Sequence, residues 1–274
     1  MRWAPVLAVA GVLVVGILVV VLTRRTPRSD RDWTADHAKP ARITFLGERV
    51  QVENLRDFDH TGPETFAERY RTETYELADV RRVWLVLAPF ARRWRGLAHS
   101  FVSFELEGDR WVAVSVEARR EVDEAYSLLR GIMRSFEITY VVGTERDVIG
   151  LRAIRGDSLY LYPSRATPAQ ARAMFEDMLT RAEALNTHPE FYHTLTNSCS
   201  SNLRDHVNRV VRDPLPWGWG VLFPGYSDEL ALEHGLLDTD LDVVRARERF
   251  RVDEHARRAL ESGEDFGRAL RAGM

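Results

Sequence analysis

The sequence contains a single cysteine, Cys199, at the start of a segment whose pattern predicts an amphipathic helix. Thr196 and Asn197 can cap its first turn, and Leu203 and Val207 follow at helical spacing on the same face as the thiol. Backbone N–H groups in a first turn are unpaired, so they stabilise a thiolate and can bind an oxyanion. A lone cysteine is more often a small buried hydrophobic residue, and these local features leave both interpretations open.

Two neighbouring segments with alternating apolar residues, 99–106 and 111–117, predict a β-hairpin. Their apolar faces coincide only if Val102 pairs with Val114 and the loop occupies residues 107–109. In this register His99 lies directly across from Glu117 on the opposite face. A carboxylate at that position can fix the tautomer of the imidazole and favour its charged form. Glutamate–histidine pairs are also common on surfaces, and a single histidine is weak evidence for a site.

The remaining patterns predict the elements that must surround this hairpin. A group of charged residues, Arg146, Asp147 and Arg152, is typical of a structural ion-pair network. The other expectations are short strands turning at Gly47, strands near 83–90, 135–142 and 159–162, a helix capped by Thr167 that runs from Pro168 to about Leu185, and a charged helical pattern over 240–274.

Composition limits the classes of function. The chain has 274 residues, 45% of them hydrophobic and 29% charged, which is enough to bury one sizeable core. A net charge of -3 argues against nucleic acid as a partner. One cysteine excludes an internal disulfide, and no Cys/His zinc pattern is present, so we expect neither a metal nor a cofactor.

The N-terminal segment predicts a membrane anchor. Residues Trp3 to Leu22 are uninterruptedly apolar and long enough to span a bilayer, and no cleavage site follows them. We therefore expect an uncleaved transmembrane helix within 1–23, a polar linker over 24–40, and the lipid bilayer as a partner. The arginines after the span outnumber Arg2 before it, which favours a cytoplasmic location for the rest of the chain.

An aromatic segment, PLPWGWGVLFPGY, follows the cysteine helix at 214–226. Trp217, Trp219 and Phe223 are the candidate substrate-binding residues, because they can cover an acyl pocket or enter the bilayer interface. The alternative is a loop that fills the protein core.

Several motifs, in order, resemble the Lnb N-terminal periplasmic domain family, whose name-giving member is a bacterial lipoprotein N-acylating transacylase. The resemblance covers roughly residues 30 to 270, and it implies an extracytoplasmic α+β domain with a circularly permuted papain-like (NlpC/P60-like) fold. That domain would occupy 41–245, followed by a helical extension over 246–274. The motifs are HSFVSFEL at 99–106, SVEARRE at 115–121, FYHTLTNSCSSNL at 191–203 and PGYSDEL at 224–230.

The resemblance also implies roles for individual residues. Cys199 would be the nucleophile and His99 the base, and Glu117, which the hairpin register also indicates, would be the third group. Backbone N–H groups near Ser200 would stabilise an oxyanion. The family often has Asn and Thr on either side of the cysteine, whereas here Ser198 precedes it and Ser200 follows it.

Two other histidines are near Cys199 in sequence. His206 lies about two turns, or about 10 Å, along the predicted helix, which is too far for a hydrogen bond to the thiol. His193 is on the loop that enters the helix and is the rival to His99 as base.

Two classes of function remain open. The first is a membrane-anchored acyltransferase or hydrolase that forms an acyl-thioester on Cys199 and acts on lipids, lipoproteins or cell-wall peptides. The second is a non-catalytic envelope module that uses the same fold as a binding scaffold. The joint presence of His99, Glu117 and Cys199 favours the enzyme, because a scaffold does not need this set.

Overall fold

The computed structural model describes residues 24–90 and 94–274. The predicted anchor at Trp3 to Leu22 lies outside these residues, and within them no helix is both long and apolar enough to cross a membrane. The strands are β1 (Arg42–Leu46), β2 (Arg49–Arg56), β3 (Asp59–His60), β4 (Phe66–Ala67), β5 (Tyr70–Glu76), β6 (Val80–Pro89), β7 (Ala98–Leu106), β8 (Arg110–Arg119), β9 (Glu137–Gly143) and β10 (Tyr160–Pro163). The helices are α1 (Ala35–Ala38), α2 (Leu128–Ile132), α3 (Glu145–Ile154), α4 (Pro168–Thr187), α5 (Cys199–Val210), α6 (Trp219–Leu222), α7 (Ser227–Glu233), α8 (Val243–Arg249), α9 (Asp253–Ser262) and α10 (Phe266–Leu270).

One large sheet organises the described part of the chain. Its strands follow the order β1-β2-β9-β8-β7-β6-β10, with β5 also pairing with β2, while β3 and β4 form a separate small sheet. Pairing is antiparallel except between β2 and β9, which run parallel. This mainly antiparallel sheet with packed helices confirms the α+β class.

The central hairpin, β7–β8, has the predicted register. Val102 pairs with Val114 and Phe104 with Val112, and the loop at 107–109 separates the strands. Gly108 has a φ of 75°, a left-handed conformation that glycine adopts without steric cost. The register places the side chains of His99 and Glu117 on the same face of the sheet, as predicted from the alternation of apolar residues.

Helices cover both faces of the sheet. Val102 and Phe104 belong to a buried cluster with residues of α4 and α5, whereas Phe101 belongs to a second cluster with residues of α3, α9 and α10. Burying each of these large side chains contributes about 1.5–3 kcal/mol. The start of β7 is therefore held between two helical layers, with the first turn of α5 on one side and α3 on the other.

The C-terminal helices α9 and α10 are integral to the second layer. Ala256 and Phe266 are buried in the same cluster as Val148 of α3. At Gly267, a Cβ atom would lie 2.2 Å from the Trp111 ring, so this close approach requires glycine. These contacts hold α3 against the sheet, and α3 carries Arg152 to the candidate site.

Candidate active site

Cys199 is the first residue of α5, and its thiol is buried with 6% of the residue exposed. Ser198 is the N-cap: its hydroxyl accepts from the Ser201 N–H at 3.4 Å, and the Ser201 hydroxyl accepts from the Ser198 N–H at 2.7 Å. Serine is a favoured N-cap, which explains why the helix tolerates Ser198 before the cysteine. The expectation that Thr196 or Asn197 caps the helix is wrong, since the Asn197 amide instead donates to the Phe191 carbonyl at 2.9 Å.

His99, near the start of β7, lies beside the thiol. Its Nε2 is 2.6 Å from the Ser115 hydroxyl and 3.0 Å from Glu117 Oε1. His99 and Cys199 line the same cavity, where the imidazole acts on the thiol both as a hydrogen-bond partner and as a nearby charge. The backbone N–H of Ser100 also lowers the pKa of the thiol. The hairpin and the helix start thus bring the cysteine, the histidine and the glutamate together.

The electrostatics of the three groups favour their charged forms. Burial lowers the pKa of His99, but the negative charge of Glu117 and the hydrogen bonds of the imidazole together outweigh this effect and raise the pKa to about 9. Burial raises the pKa of the Cys199 thiol, and the hydrogen bond and charge of His99 lower it to below its ordinary value. The pKa of Glu117 is held well below its usual range, because His99 and Arg152 outweigh the effect of its burial. The arrangement favours a thiolate–imidazolium pair next to an ionised carboxylate.

Two further side chains, which the sequence patterns did not indicate as site residues, hold Glu117 in place. The Ser115 hydroxyl donates to Glu117 Oε1 at 2.8 Å, and Arg152 Nη2 donates to the same oxygen at 3.1 Å. Ser115 can therefore accept from His99 Nε2 and donate to Glu117, which completes a hydrogen-bonded chain from the imidazole to the carboxylate. The signal for Ser115 was its position on the same strand face as Glu117.

The other two histidines make different contacts. His206 is buried on α5, with Nδ1 2.5 Å from Asp177 Oδ2 and Nε2 2.7 Å from the Tyr140 hydroxyl. His193 Nδ1 is 2.9 Å from the Thr196 hydroxyl on the loop before the helix. Of these three histidines, His99 is the one that lines a cavity together with Cys199.

The charged group on α3 divides into two roles. Asp147 is fully buried and accepts from Arg56 Nε at 2.8 Å and Nη2 at 2.9 Å, with His60 Nε2 at 2.8 Å. This part is a structural network, as its composition indicated. Arg152, by contrast, donates to Glu117, so the expected structural network includes Asp147 but not Arg152.

Two cavities meet the residues around the thiol. One, of about 290 Å³, is lined by Cys199, His99 and Glu117 together with Tyr126 and Tyr192. The other, of about 200 Å³, has mostly apolar walls from β6, β7, α4, α5 and α7. Ser100 and Ser200, the immediate neighbours of the histidine and the cysteine, line this second cavity. The candidate catalytic pair therefore lines a cavity that also contains charged side chains, and its sequence neighbours line an apolar one.

The aromatic segment lies next to the apolar cavity without lining it through its large rings. Trp217 and Trp219 are 45% and 74% exposed, and Trp219 stacks on Phe223 with a centroid distance of 5.2 Å. Gly220 and Val221, between them in sequence, do line the cavity. A substrate-binding role for the three rings stays a prediction.

The first turn of α5 offers donors for an oxyanion. The first helical bond runs from the Asn202 N–H to the Ser198 carbonyl at 3.1 Å, so the N–H groups of Cys199 and Ser200 have no helical carbonyl partner. The Ser200 hydroxyl donates to the Val221 carbonyl at 2.6 Å, so any oxyanion contact of Ser200 comes from its backbone. In the part of the chain that the structure describes, no three His, Cys, Asp or Glu side chains are grouped as metal ligands.

The lowered pKa of Cys199 makes alkylation a test of the ion pair. We expect iodoacetamide to react with Cys199 at pH values below the ordinary range of a thiol, because the imidazolium of His99 stabilises the thiolate. In His99→Ala the profile should move to higher pH, since the thiol then loses the imidazolium charge that lowers its pKa. Rates measured by mass spectrometry between pH 5 and pH 10 give the profile. Identical profiles for the two proteins would contradict the pair.

Comparison with known proteins identifies the family of this chain. Residues 66–224 match the model of the Lnb N-terminal periplasmic domain family, a range that includes His99, Glu117 and Cys199. Comparison with curated proteins found no match, and comparison with solved structures found none either.

Proposed function

The chain belongs to the Lnb N-terminal periplasmic domain family, so the matched region is an extracytoplasmic envelope domain, and we propose that the protein is a thiol-dependent acyltransferase or hydrolase. The observation that carries the proposal is the set of buried Cys199 and His99 with partly buried Glu117, in which the thiol is at a helix N-terminus and its pKa is lowered. Such a set matches the requirements of an activated nucleophile, a base and an orienting group.

The proposed reaction begins with attack of the Cys199 thiolate on the carbonyl carbon of an acyl ester or amide. A carbon–sulfur bond forms, and the negative charge on the carbonyl oxygen is stabilised by the backbone N–H groups of Cys199 and Ser200. The bond to the leaving group then breaks, and the His99 imidazolium gives that group its proton. The result is an acyl-thioester on Cys199.

The second half-reaction releases the acyl group. An amine or water gives a proton to His99 as it attacks the thioester carbonyl, and the carbon–sulfur bond breaks to restore the thiolate. Exclusion of water from the pocket would favour transfer to an amine over hydrolysis. Trp217, Trp219 and Phe223 are our candidates for covering the pocket when it meets a lipid surface.

The remaining polar residues act through His99. Glu117 holds the imidazole by its Nε2 at 3.0 Å and stabilises its charged form. Ser115 and Arg152 fix the position of Glu117, and the positive charge of Arg152 helps to keep it ionised. These are positioning roles, because neither side chain needs to touch the reacting atoms.

The apolar cavity supports an acyl substrate. Val102, Leu203 and Val221 are in its wall, and Ser100 and Ser200 bring it to the residues next to the candidate catalytic pair. Binding of a hydrocarbon chain in this apolar cavity is stabilised in proportion to the apolar area that is removed from water. We therefore place lipid or lipoprotein acyl groups ahead of cell-wall peptides as substrates.

The order of the elements supports a circularly permuted papain-like fold as part of the proposal. The strand with the histidine, β7, precedes the helix with the cysteine, α5, and the two meet at the thiol. The predicted anchor at 1–23 would hold this domain at the outer surface of the inner membrane, close to acyl lipids. This orientation is opposite to the one that the arginines after the anchor favour, which is possible because the positive-inside rule is statistical and has exceptions.

The proposal can be tested with the full chain in detergent micelles. We expect labelled acyl chains of a glycerophospholipid to appear as free fatty acid, or as an acyl-amine when a lipopeptide amine is supplied. Folding is checked on the same sample by circular dichroism. If folded protein releases or transfers no label from phospholipid or lipopeptide, the non-catalytic scaffold replaces the enzyme as the best account.

A further inference from the structure

The cavity that contains the candidate catalytic pair is rich in arginine. Among the described residues, four arginines line it against two carboxylates, Asp36 and Glu117. Arg120 pairs with Asp36 at 3.1 Å. Arg56 forms an ion pair with Asp147 at 2.8 Å, and Asp147 itself does not line the cavity. The other two arginines are Arg152, in the C-terminal part of α3, and Arg155, at the C-cap of this helix.

Arg152 and Arg155 carry unused donors into this cavity. Arg152 is 8% exposed and gives one Nη2 bond to Glu117, but its buried Nε has no hydrogen-bond partner within the described ranges. Arg155, at the C-cap of α3, forms no ion pair with any described residue. Glu117 and Asp157 attract Arg155 only at longer range, while Arg152 and Arg120 repel it. Burying the unpaired Nε of a cation costs free energy unless a ligand supplies an acceptor.

The position of these donors relative to the apolar cavity indicates which chemical class of ligand the site can bind. The arginines are in the cavity lined by Cys199 and His99, and the apolar cavity begins at their neighbours Ser100 and Ser200. If the ester group of a ligand lies at the thiol, its hydrocarbon chain would enter the apolar cavity. The rest of the ligand would then lie in the cavity with the arginines. Arginine binds phosphate through parallel N–H donors, more specifically than lysine does.

We propose that Arg155 and the free Nε edge of Arg152 bind the phosphate of an anionic glycerophospholipid, which is the acyl donor of this site. The inference rests on the proposed function. In the step, the Cys199 thiolate attacks the ester carbonyl, the carbon–oxygen ester bond breaks, and the His99 proton goes to the departing glycerol oxygen. The products are the acyl-thioester enzyme and a lysophospholipid that keeps its phosphate.

The test compares donors that share acyl chains and differ in the headgroup. The full chain is mixed with micelles containing phosphatidylglycerol, zwitterionic phosphatidylcholine or uncharged diacylglycerol, and acyl-thioester formation is timed. An N-acyl amino acid is a fourth arm, because its carboxylate supplies an anion without a phosphate. We expect phosphatidylglycerol to react about tenfold faster than diacylglycerol at low donor concentration, the effect of one charge-assisted contact.

Arg155 is the residue to change, because it is exposed and touches none of the three candidate catalytic side chains. Arg155→Glu should remove the preference for phosphatidylglycerol, measured as the ratio of its rate to the rate with diacylglycerol in the same variant, and Arg155→Lys should retain part of it. Arg146→Glu is the matched control: it lies on the same helix, pairs with Asp59 at 3.5 Å and does not line the cavity. This control should keep the wild-type preference.

Each outcome decides a different claim. Equal rates for phosphatidylglycerol and diacylglycerol, or a preference that Arg155→Glu leaves intact, would overturn the phosphate site while the proposed function stands. A preference for the N-acyl amino acid that depends on Arg155 would replace phosphate by carboxylate. Loss of the preference in Arg146→Glu as well would assign it to the overall charge of the protein. Failure of every donor to form a thioester would contradict the proposed function itself.

Discussion

Replacement of Cys199 by alanine is expected to lower acyl release and transfer by at least about 10³-fold, because no other side chain at the site can form the thioester. His99→Ala should cause a loss of similar size, since the thiol then loses the charge that lowers its pKa and the leaving group loses its proton donor. The two losses should not add in the double variant, because both residues serve one step. Initial rates with labelled phospholipid measure all three.

His193→Ala is the matched control for this series. The residue is near Cys199 in sequence but makes its hydrogen bond with Thr196 at 2.9 Å, so its removal should leave the rate unchanged. Cys199→Ala removes little volume from a buried position, and thermal unfolding can verify that the variants are folded. Wild-type rates in folded Cys199→Ala and His99→Ala would refute the enzyme proposal. A loss in His193→Ala with none in His99→Ala would reassign the base.

Glu117→Gln is expected to have the second-largest effect, a fall in rate of about 10²-fold. An amide keeps the size of the side chain but removes the charge that raises the pKa of His99 to about 9. The thiolate–imidazolium pair exists above the pKa of the thiol and is lost as the pH rises through that of His99. The alkaline limb of the activity profile should therefore move to lower pH in the variant, a shift that a merely structural glutamate would not cause.

Glu105→Gln provides the corresponding control on β7. Glu105 accepts from the Trp84 indole N–H at 2.7 Å, and a glutamine oxygen can accept the same bond. We expect this variant to keep both the rate and the pH profile. An unchanged alkaline limb in Glu117→Gln would mean that Glu117 does not set the pKa of His99, and the third group would have to be another residue.

The pairing of His99 with Glu117 could be predicted from the sequence because successive side chains of a strand point to opposite faces of the sheet. Requiring Val102 and Val114 to share the apolar face fixed the register, and the register fixed what lies across from His99. The position of Cys199 in a first helical turn followed from a similar periodicity. Periodicity within an element is thus sufficient for the parts of the site that lie on β7, β8 and α5.

The contribution of α3 could not be predicted in this way. Arg152 reaches Glu117 from a helix that packs across the sheet, and no local pattern specifies how a helix rotates against a strand. Its neighbour Asp147 has the same charged context in sequence but is bound by Arg56. The N-cap was also misassigned, since Thr196, Asn197 and Ser198 are all suitable caps and the capping box with Ser201 decides among them. The arginine-rich cavity follows only from the assembled fold.

The most direct test of the central claim is the intact mass of the protein after brief incubation with phospholipid at neutral pH. We expect a fraction of the wild-type chain to gain the mass of one acyl group at Cys199, located by peptide fragmentation and removed by neutral hydroxylamine, which cleaves thioesters. Cys199→Ala should gain no such mass. An acyl adduct that persists in Cys199→Ala, or phospholipid turnover by wild type whose acyl group never appears on Cys199 even when the reaction is quenched early with acid, would contradict the thioester mechanism.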